Sequence, residues 1–131
     1  MDLRFNILDE YVEKFIVCES TISHSGKKKK LNFNINSYPK FKDKINYIVI
    51  DEEPKGIIGL KNGLAEPHEK RSDSLKRINL SYDYMLRAIS EASDNDLIIL
   101  SDNDEIPNLN SQQFKNSKKD IFIFKQLFFY Y

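Results

Sequence analysis

The stretch Leu97-Ile98-Ile99-Leu100-Ser101-Asp102-Asn103-Asp104-Glu105-Ile106-Pro107 decides how this chain is read. Four apolar residues run into a polar, acidic tip that a proline closes. An apolar run this short predicts a strand buried on both faces, as in a parallel sheet. Such sheets bind ligands just beyond the carboxyl ends of their strands. In extended chain, residues two apart point to the same side, so Asp102 and Asp104 can face one ligand while Asn103 faces away. Hard oxygen donors presented in this way suit Mg²⁺ or Mn²⁺, and through the metal a diphosphate. The competing reading is a solvated acidic turn, which is what an isolated Asp-x-Asp usually is.

The rest of the composition frames this motif. With 131 residues, 40% hydrophobic and 12% aromatic, the chain suits one globular domain, residues 1–131, with a modest core. Lys plus Arg equals Asp plus Glu at 20 each, so no global field favours nucleic acid or an anionic membrane and local charge must do any steering. The single Cys18 has no disulfide partner within the chain and lies in the strand-like Phe15-Ile16-Val17-Cys18, which makes it a buried, inert thiol. One cysteine and two distant histidines argue against a structural zinc site. No apolar run reaches membrane-spanning length, and Met1-Asp2-Leu3-Arg4 does not lead into a signal-peptide core. The expectation is therefore a cytoplasmic protein, or a domain on a cytoplasmic face.

Working outward, Asp2 to about Lys14 places Leu3, Ile7, Leu8, Tyr11, Val12 and Phe15 near helical spacing and predicts an amphipathic helix. A helix with no strand before it is an unusual opening for a parallel α/β domain, and leads to the expectation of a strand upstream or from elsewhere. Phe15 to Thr21 repeats the grammar of the acidic stretch: an apolar run that ends in Glu19, Ser20 and Thr21. These three are expected at the same rim of the sheet as Asp102 and Asp104, with ordinary turn roles as the alternative. His24-Ser25-Gly26 and four consecutive lysines, Lys27 to Lys30, follow; they can sit over phosphates or form a solvated loop. Lys44 to Ile50 predicts a further strand, ended by Asp51-Glu52-Glu53-Pro54, and Lys55 to Pro67 a glycine-punctuated loop. From about His68 to Ala92, Leu75, Ile78, Tyr82, Met85, Leu86 and Ile89 repeat at helical steps and predict a core-facing stripe. Arg71, Lys76 and Arg77 fall on the other face, available for anions through the Arg fork or for surface salt bridges. Asp94 to Glu105 is not a calcium loop, because its sixth residue is Ile99 instead of glycine. A polar turn or short helix to about Lys119 and a last strand over Asp120 to Tyr131 complete the reading, with the aromatic Tyr130 and Tyr131 expected to be covered.

These residues resemble a known family. Val17-Cys18-Glu19-Ser20-Thr21 and Ser25-Gly26-Lys27, within Phe15 to Lys30, are similar to the early strand and loop of glycosyltransferase family 17. Its known activity is β-1,4-mannosyl-glycoprotein β-1,4-N-acetylglucosaminyl transfer in N-glycan processing. Asp96 to Pro107 resembles the family's signature at its metal site. The resemblance implies a GT-A type α/β fold, with a mostly parallel sheet flanked by helices, and a UDP-sugar donor, UDP-N-acetylglucosamine in the known activity. It also implies a divalent metal, Mn²⁺ or Mg²⁺, and a glycan acceptor. Asp102 and Asp104 match the Asp-x-Asp (DXD) pair that contacts the metal and the donor's ribose-diphosphate, and Arg77 looks like the arginine of a Gln-Arg pair.

This chain departs from the family pattern at several points. Lys28 and Lys30 stand where the family often has prolines, Lys76 where it often has Gln, and the chain has no Trp. The family's first strand and its acceptor-binding half are not matched within the 131 residues. The chain is thus expected to be a truncated or divergent, incomplete GT-A-like nucleotide-sugar-binding domain, which leaves room for a homo-oligomer or a second chain that completes it.

The mechanism implied is metal-dependent transfer with inversion. Metal on Asp104, assisted by Asp102, would neutralise the leaving diphosphate. The substrate-binding candidates are Glu19, Ser20, Thr21, Lys27, Lys29, Arg77 and Asp102, with Lys27, Lys29 and Arg77 placed to add charge stabilisation. A carboxylate must take the acceptor's proton, and Glu105 is the candidate the sequence offers, although it sits close to the metal pair. The rival from another class is a non-catalytic remnant that binds a nucleotide or a partner chain. A nucleotidyltransferase is a third reading, without a glycine-rich phosphate loop to support it.

Overall fold

The computed structural model describes residues 1–59, 66–109 and 120–124. The chain divides into two compact units, Lys14–Asp96 and Met1–Glu13 with Leu97–Tyr131.

The Lys14–Asp96 unit is built on two short strands, β1 (Phe15–Ser20) and β2 (Ile45–Ile50). They pair in parallel, in unbroken register from Phe15 opposite Ile45 to Ser20 opposite Ile50. Parallel neighbours need a crossover connection. Here it runs through two 3₁₀ turns, Ile35–Ser37 and Pro39–Lys44. Phe41 from the second turn meets Phe15 edge to face at 6.4 Å, and both rings are buried with Ile45 and Ile50. Helix α2 (Pro67–Ala88) lies against both strands. Pro67 occupies its first turn, and the Glu69 carboxylate accepts the N–H of Glu66 at 2.8 Å, so the start of the helix is fixed locally.

The other unit begins with helix α1 (Asp2–Leu8), which buries Phe5 and Leu8. Pro107 and Leu109 are buried in the same unit. The Leu97–Leu100 run lines a cavity of about 210 Å³ together with Asp120, Ile121, Phe122 and Phe124.

Both pairing strands and α2 stand where the sequence placed them; α1 ends at Leu8, short of the expected Lys14, and three further features differ. The α1 face is set by Phe5 and Leu8, whereas Leu3 is 65% exposed. The charged neighbour Arg4 takes part in that face, for reasons given below. On α2, Leu75, Tyr82 and Leu86 of the expected core stripe are exposed. The helix instead turns Asp73, Arg77 and Tyr84 inward, because each hydrogen-bonds to a loop of the unit. Charge-assisted bonds to backbone N–H groups and loop carboxylates outweigh the burial of three apolar side chains, and a hydropathy pattern does not record them.

The third difference concerns the Leu97–Leu100 run. It joins no strand ladder among the described residues, and Leu97, Ile98 and Leu100 are exposed. The expected doubly buried strand is therefore not formed there. An apolar run signals that burial is favourable, but a ladder also needs a partner edge that accepts its N–H and C=O groups. Residues 120–124 likewise join no ladder. The remainder of that expected last strand with its two tyrosines, the polar turn at 110–119 and the loop centre at 60–65 lie outside the described residues. The architecture is a small α/β arrangement with a two-stranded parallel sheet and helices.

Candidate functional site

The acidic tip is a turn. The N–H of Glu105 donates to the Asp102 carbonyl at 3.1 Å, and the Glu105 carboxylate accepts the N–H of Asp102 at 3.2 Å. The tip is thus closed on itself from both ends, with Asn103 and Asp104 at its apex. The strand-like alternation expected for Asp102 and Asp104 gives way to two carboxylates on one four-residue turn. Both residues are exposed, and neither carboxylate accepts a hydrogen bond from a described residue. Glu105 is half-buried and engaged in closing the turn.

Arg4 of α1 secures this turn from below. Its guanidinium donates to the Ser101 hydroxyl at 2.7 Å, to the Asp102 carbonyl at 3.1 Å, and closely to the Glu105 carbonyl. The guanidinium is a planar fork of five donors, and here it collects three acceptors from one short segment. Burial lowers the Arg4 pKa, and the neighbouring Glu105 charge works in the opposite direction. The sequence reading did not single out Arg4. The signal available was its position four residues before Leu8 and next to Phe5, on the buried side of the helix.

At the end of β1 the chemistry is different. Glu19 accepts four hydrogen bonds: from the Lys29 ammonium at 2.7 Å, the N–H of Asn32 at 2.8 Å, the N–H of Phe33 at 3.0 Å and the Tyr47 hydroxyl at 3.1 Å. Burial alone would push this carboxyl up. Lys29, the two N–H groups and Tyr47 outweigh it and hold it down at about 2. Ser20 accepts the N–H of Ile22 at 3.0 Å. Thr21 carries the pairing with β2 one step beyond the strand, donating its N–H to the Ile50 carbonyl at 2.9 Å and its hydroxyl to Asp51 at 2.6 Å.

The lysine-rich segment is the return arm of a hairpin. Ile22 bridges Lys28 antiparallel, Ser23 donates its N–H to the Lys27 carbonyl at 2.8 Å, and Lys29 donates its N–H to the Thr21 carbonyl at 2.8 Å. Gly26 turns the hairpin with φ +84°, and a Cβ there would lie 2.8 Å from Arg77 Nη2. Glycine is the residue that meets both demands. Arg77 grips Glu53 through Nε at 2.8 Å and Nη2 at 3.0 Å, and donates through Nη1 to the His24 carbonyl at 3.0 Å. Its side chain is 9% exposed. It therefore joins α2, the hairpin turn and the segment after β2. Lys27, Lys28 and Lys30 are exposed.

Asp73, on α2, accepts the N–H groups of Ile58 and Gly59 at 2.8 to 3.2 Å and the Lys76 ammonium at 3.4 Å. The Gly59 N–H is the main cause of its lowered pKa. Asp73 and Glu53 are further residues the sequence reading did not single out. A lone acid on the polar face of a helix gives no outward sign that it caps a distant loop.

The predicted site residues thus fall into two sets. Glu19, Ser20, Thr21, Lys27, Lys29 and Arg77 belong to the Lys14–Asp96 unit, and Asp102, Asp104 and Glu105 to the other. In the first set every one except Lys27 bonds through its side chain to the protein itself.

A family model described as Glycosyltransferase family 17 matches residues 1–122. The chain belongs to glycosyltransferase family 17. Among curated proteins, the chain is similar to ones from Homo sapiens and Rattus norvegicus, each named beta-1,4-mannosyl-glycoprotein 4-beta-N-acetylglucosaminyltransferase. Each is 30% identical over 111 residues, covering 82% of this chain and 19% of the relative. The chain therefore spans about a fifth of the length of the relatives it matches. No solved structure gives a significant match. The family 17 match takes in the β1 end, the hairpin, α2 and the acidic tip.

Proposed function

We propose that this family 17 chain is the donor-binding part of a glycosyltransferase. The reaction moves N-acetylglucosamine from UDP-N-acetylglucosamine to a glycan hydroxyl, with inversion. The observation that carries the reading is the state of the tip: Asp102 and Asp104 are exposed, unengaged by described side chains, and carried on a turn bonded at both of its ends. The named activity of the relatives supports the choice of donor sugar.

The donor set at the tip fits a divalent cation. Two open carboxylates on one turn supply hard oxygens, and among the described residues no third acidic, histidine or cysteine side chain joins them to form a metal-holding group. That is the donor set of Mg²⁺-type sites, where one or two carboxylates act together with substrate phosphates and water. Asp104 and Asp102 would hold Mn²⁺ or Mg²⁺, which when bound supplies Lewis-acid neutralisation of a leaving diphosphate.

The protein's own groups do the rest. Lys29 and Arg77, paired with Glu19 and Glu53, fix the hairpin of the Lys14–Asp96 unit. Inversion requires a carboxylate that takes the acceptor hydroxyl's proton. Glu105 is held by the Asp102 N–H, which ties it to the turn.

Incubating the chain with UDP-N-acetylglucosamine and Mn²⁺ tests the reading, because a transferase without acceptor passes sugar to water. Release of UDP and N-acetylglucosamine that depends on Mn²⁺ is expected. UDP release equal to that of the D102A/D104A variant would overturn the proposal.

A further inference from the structure

Arg4 places an entire guanidinium on a segment of five residues. Its three acceptors are the hydroxyl of Ser101 and the carbonyls of Asp102 and Glu105, so none of these bonds is to the carboxylates of Asp102 or Asp104. The base of Arg4 is itself fixed, since its neighbour Phe5 is fully buried and Leu8, one turn on, is 2% exposed. Pro107 and Leu109 anchor the far side of the turn in the same unit.

We propose that Arg4 is a positioning residue for the acidic tip: it holds the Ser101–Glu105 backbone in the shape that offers Asp102 and Asp104 jointly to one divalent cation. The inference rests on the metal reading above. Carboxylates two residues apart repel each other, and an unrestrained loop would separate them. The fork restrains the loop through its carbonyls and leaves the acidic oxygens open.

Charge and positioning make opposite forecasts for the loss of Arg4. A guanidinium close to a cation site repels the cation, so on charge alone its removal strengthens Mn²⁺ binding. If Arg4 positions the ligands, its removal weakens binding, as loss of outer-shell support does in metal sites generally.

The experiment titrates Mn²⁺ alone into the full chain, with free Mn²⁺ followed by electron paramagnetic resonance. The variants are R4M, R4K and D104N, and amide exchange at the Glu105 N–H is measured on the same samples. Expected are a roughly tenfold weaker Mn²⁺ affinity in R4M, partial recovery in R4K, and faster Glu105 exchange in R4M. R4K keeps the charge and loses the fork, so it also serves if R4M does not fold. R4M or R4K binding Mn²⁺ as tightly as wild type, or more tightly, overturns the inference and leaves the metal reading standing. Wild type that binds no Mn²⁺, or D104N that binds as wild type does, overturns the metal reading and the inference with it.

Discussion

Two acidic ends of apolar runs, written almost alike in sequence, have opposite fates in this protein. Glu19 follows Phe15-Ile16-Val17-Cys18 and is drawn inward by four donors. Asp102 and Asp104 follow Leu97-Ile98-Ile99-Leu100-Ser101 and stay open on a turn that is secured from beneath. The difference lies in where the hydrogen bonds go. At the β1 end the donors address the carboxylate, which becomes a structural anchor for residues 29–33. At the tip the donors address the backbone, and the carboxylates are left for something else. An acidic residue at the end of an apolar run is thus not a ligand by position alone; its own oxygens must also be unclaimed.

The sharpest way to break this contrast is at Glu19. Removing its carboxylate leaves the half-buried Phe33 N–H, the exposed Asn32 N–H and the Lys29 ammonium without their acceptor, so E19A should cost about 1–3 kcal/mol of stability, measured by urea unfolding. An E19A variant as stable as wild type would erase the distinction. The same anchor has a pH signature. Glu19 sits at about 2, against an ordinary 4.5, so in that window the unfolded chain binds more protons than the folded one. Its contribution is complete above about 4.5 and is lost as the pH falls through about 2. Thermal melts should show wild type losing stability over this range faster than E19Q.

A smaller effect is expected at Gly26. Alanine there meets a positive φ and the Arg77 guanidinium at once, and should cost about 1–2 kcal/mol. Smallest of all is D104A: an exposed carboxylate with no described partner should change stability by less than about 0.5 kcal/mol.

The contrast also shows how far the sequence can be read. The strands at Phe15–Ser20 and Ile45–Ile50 were legible because β-branched and aromatic residues cluster between turn residues, and both helices because their apolar residues repeat at helical steps. The acidic segment at Asp102–Asp104 was legible as polar and exposed, and its chemistry is a proposal. What the pattern missed were side chains whose partners are backbone groups far along the chain. Asp73 caps Ile58 and Gly59, Arg77 reaches the His24 carbonyl, and Arg4 reaches residue 105. Such bonds turned α2 away from its apolar stripe and gave α1 a charged inner edge. The Leu97–Leu100 run was misread for a related reason, since hydropathy reports a tendency to be buried and is silent on whether a neighbouring edge completes the ladder.

The central claim is that open carboxylates at the tip, and not the anchored carboxylate at the β1 end, bind the donor's metal. Calorimetric titration of UDP, with and without Mn²⁺, into wild type, D104A and E19Q tests it most directly. The account predicts Mn²⁺-dependent UDP binding in wild type and in folded E19Q, and its loss in D104A. Mn²⁺-dependent binding that persists unchanged in D104A would contradict it.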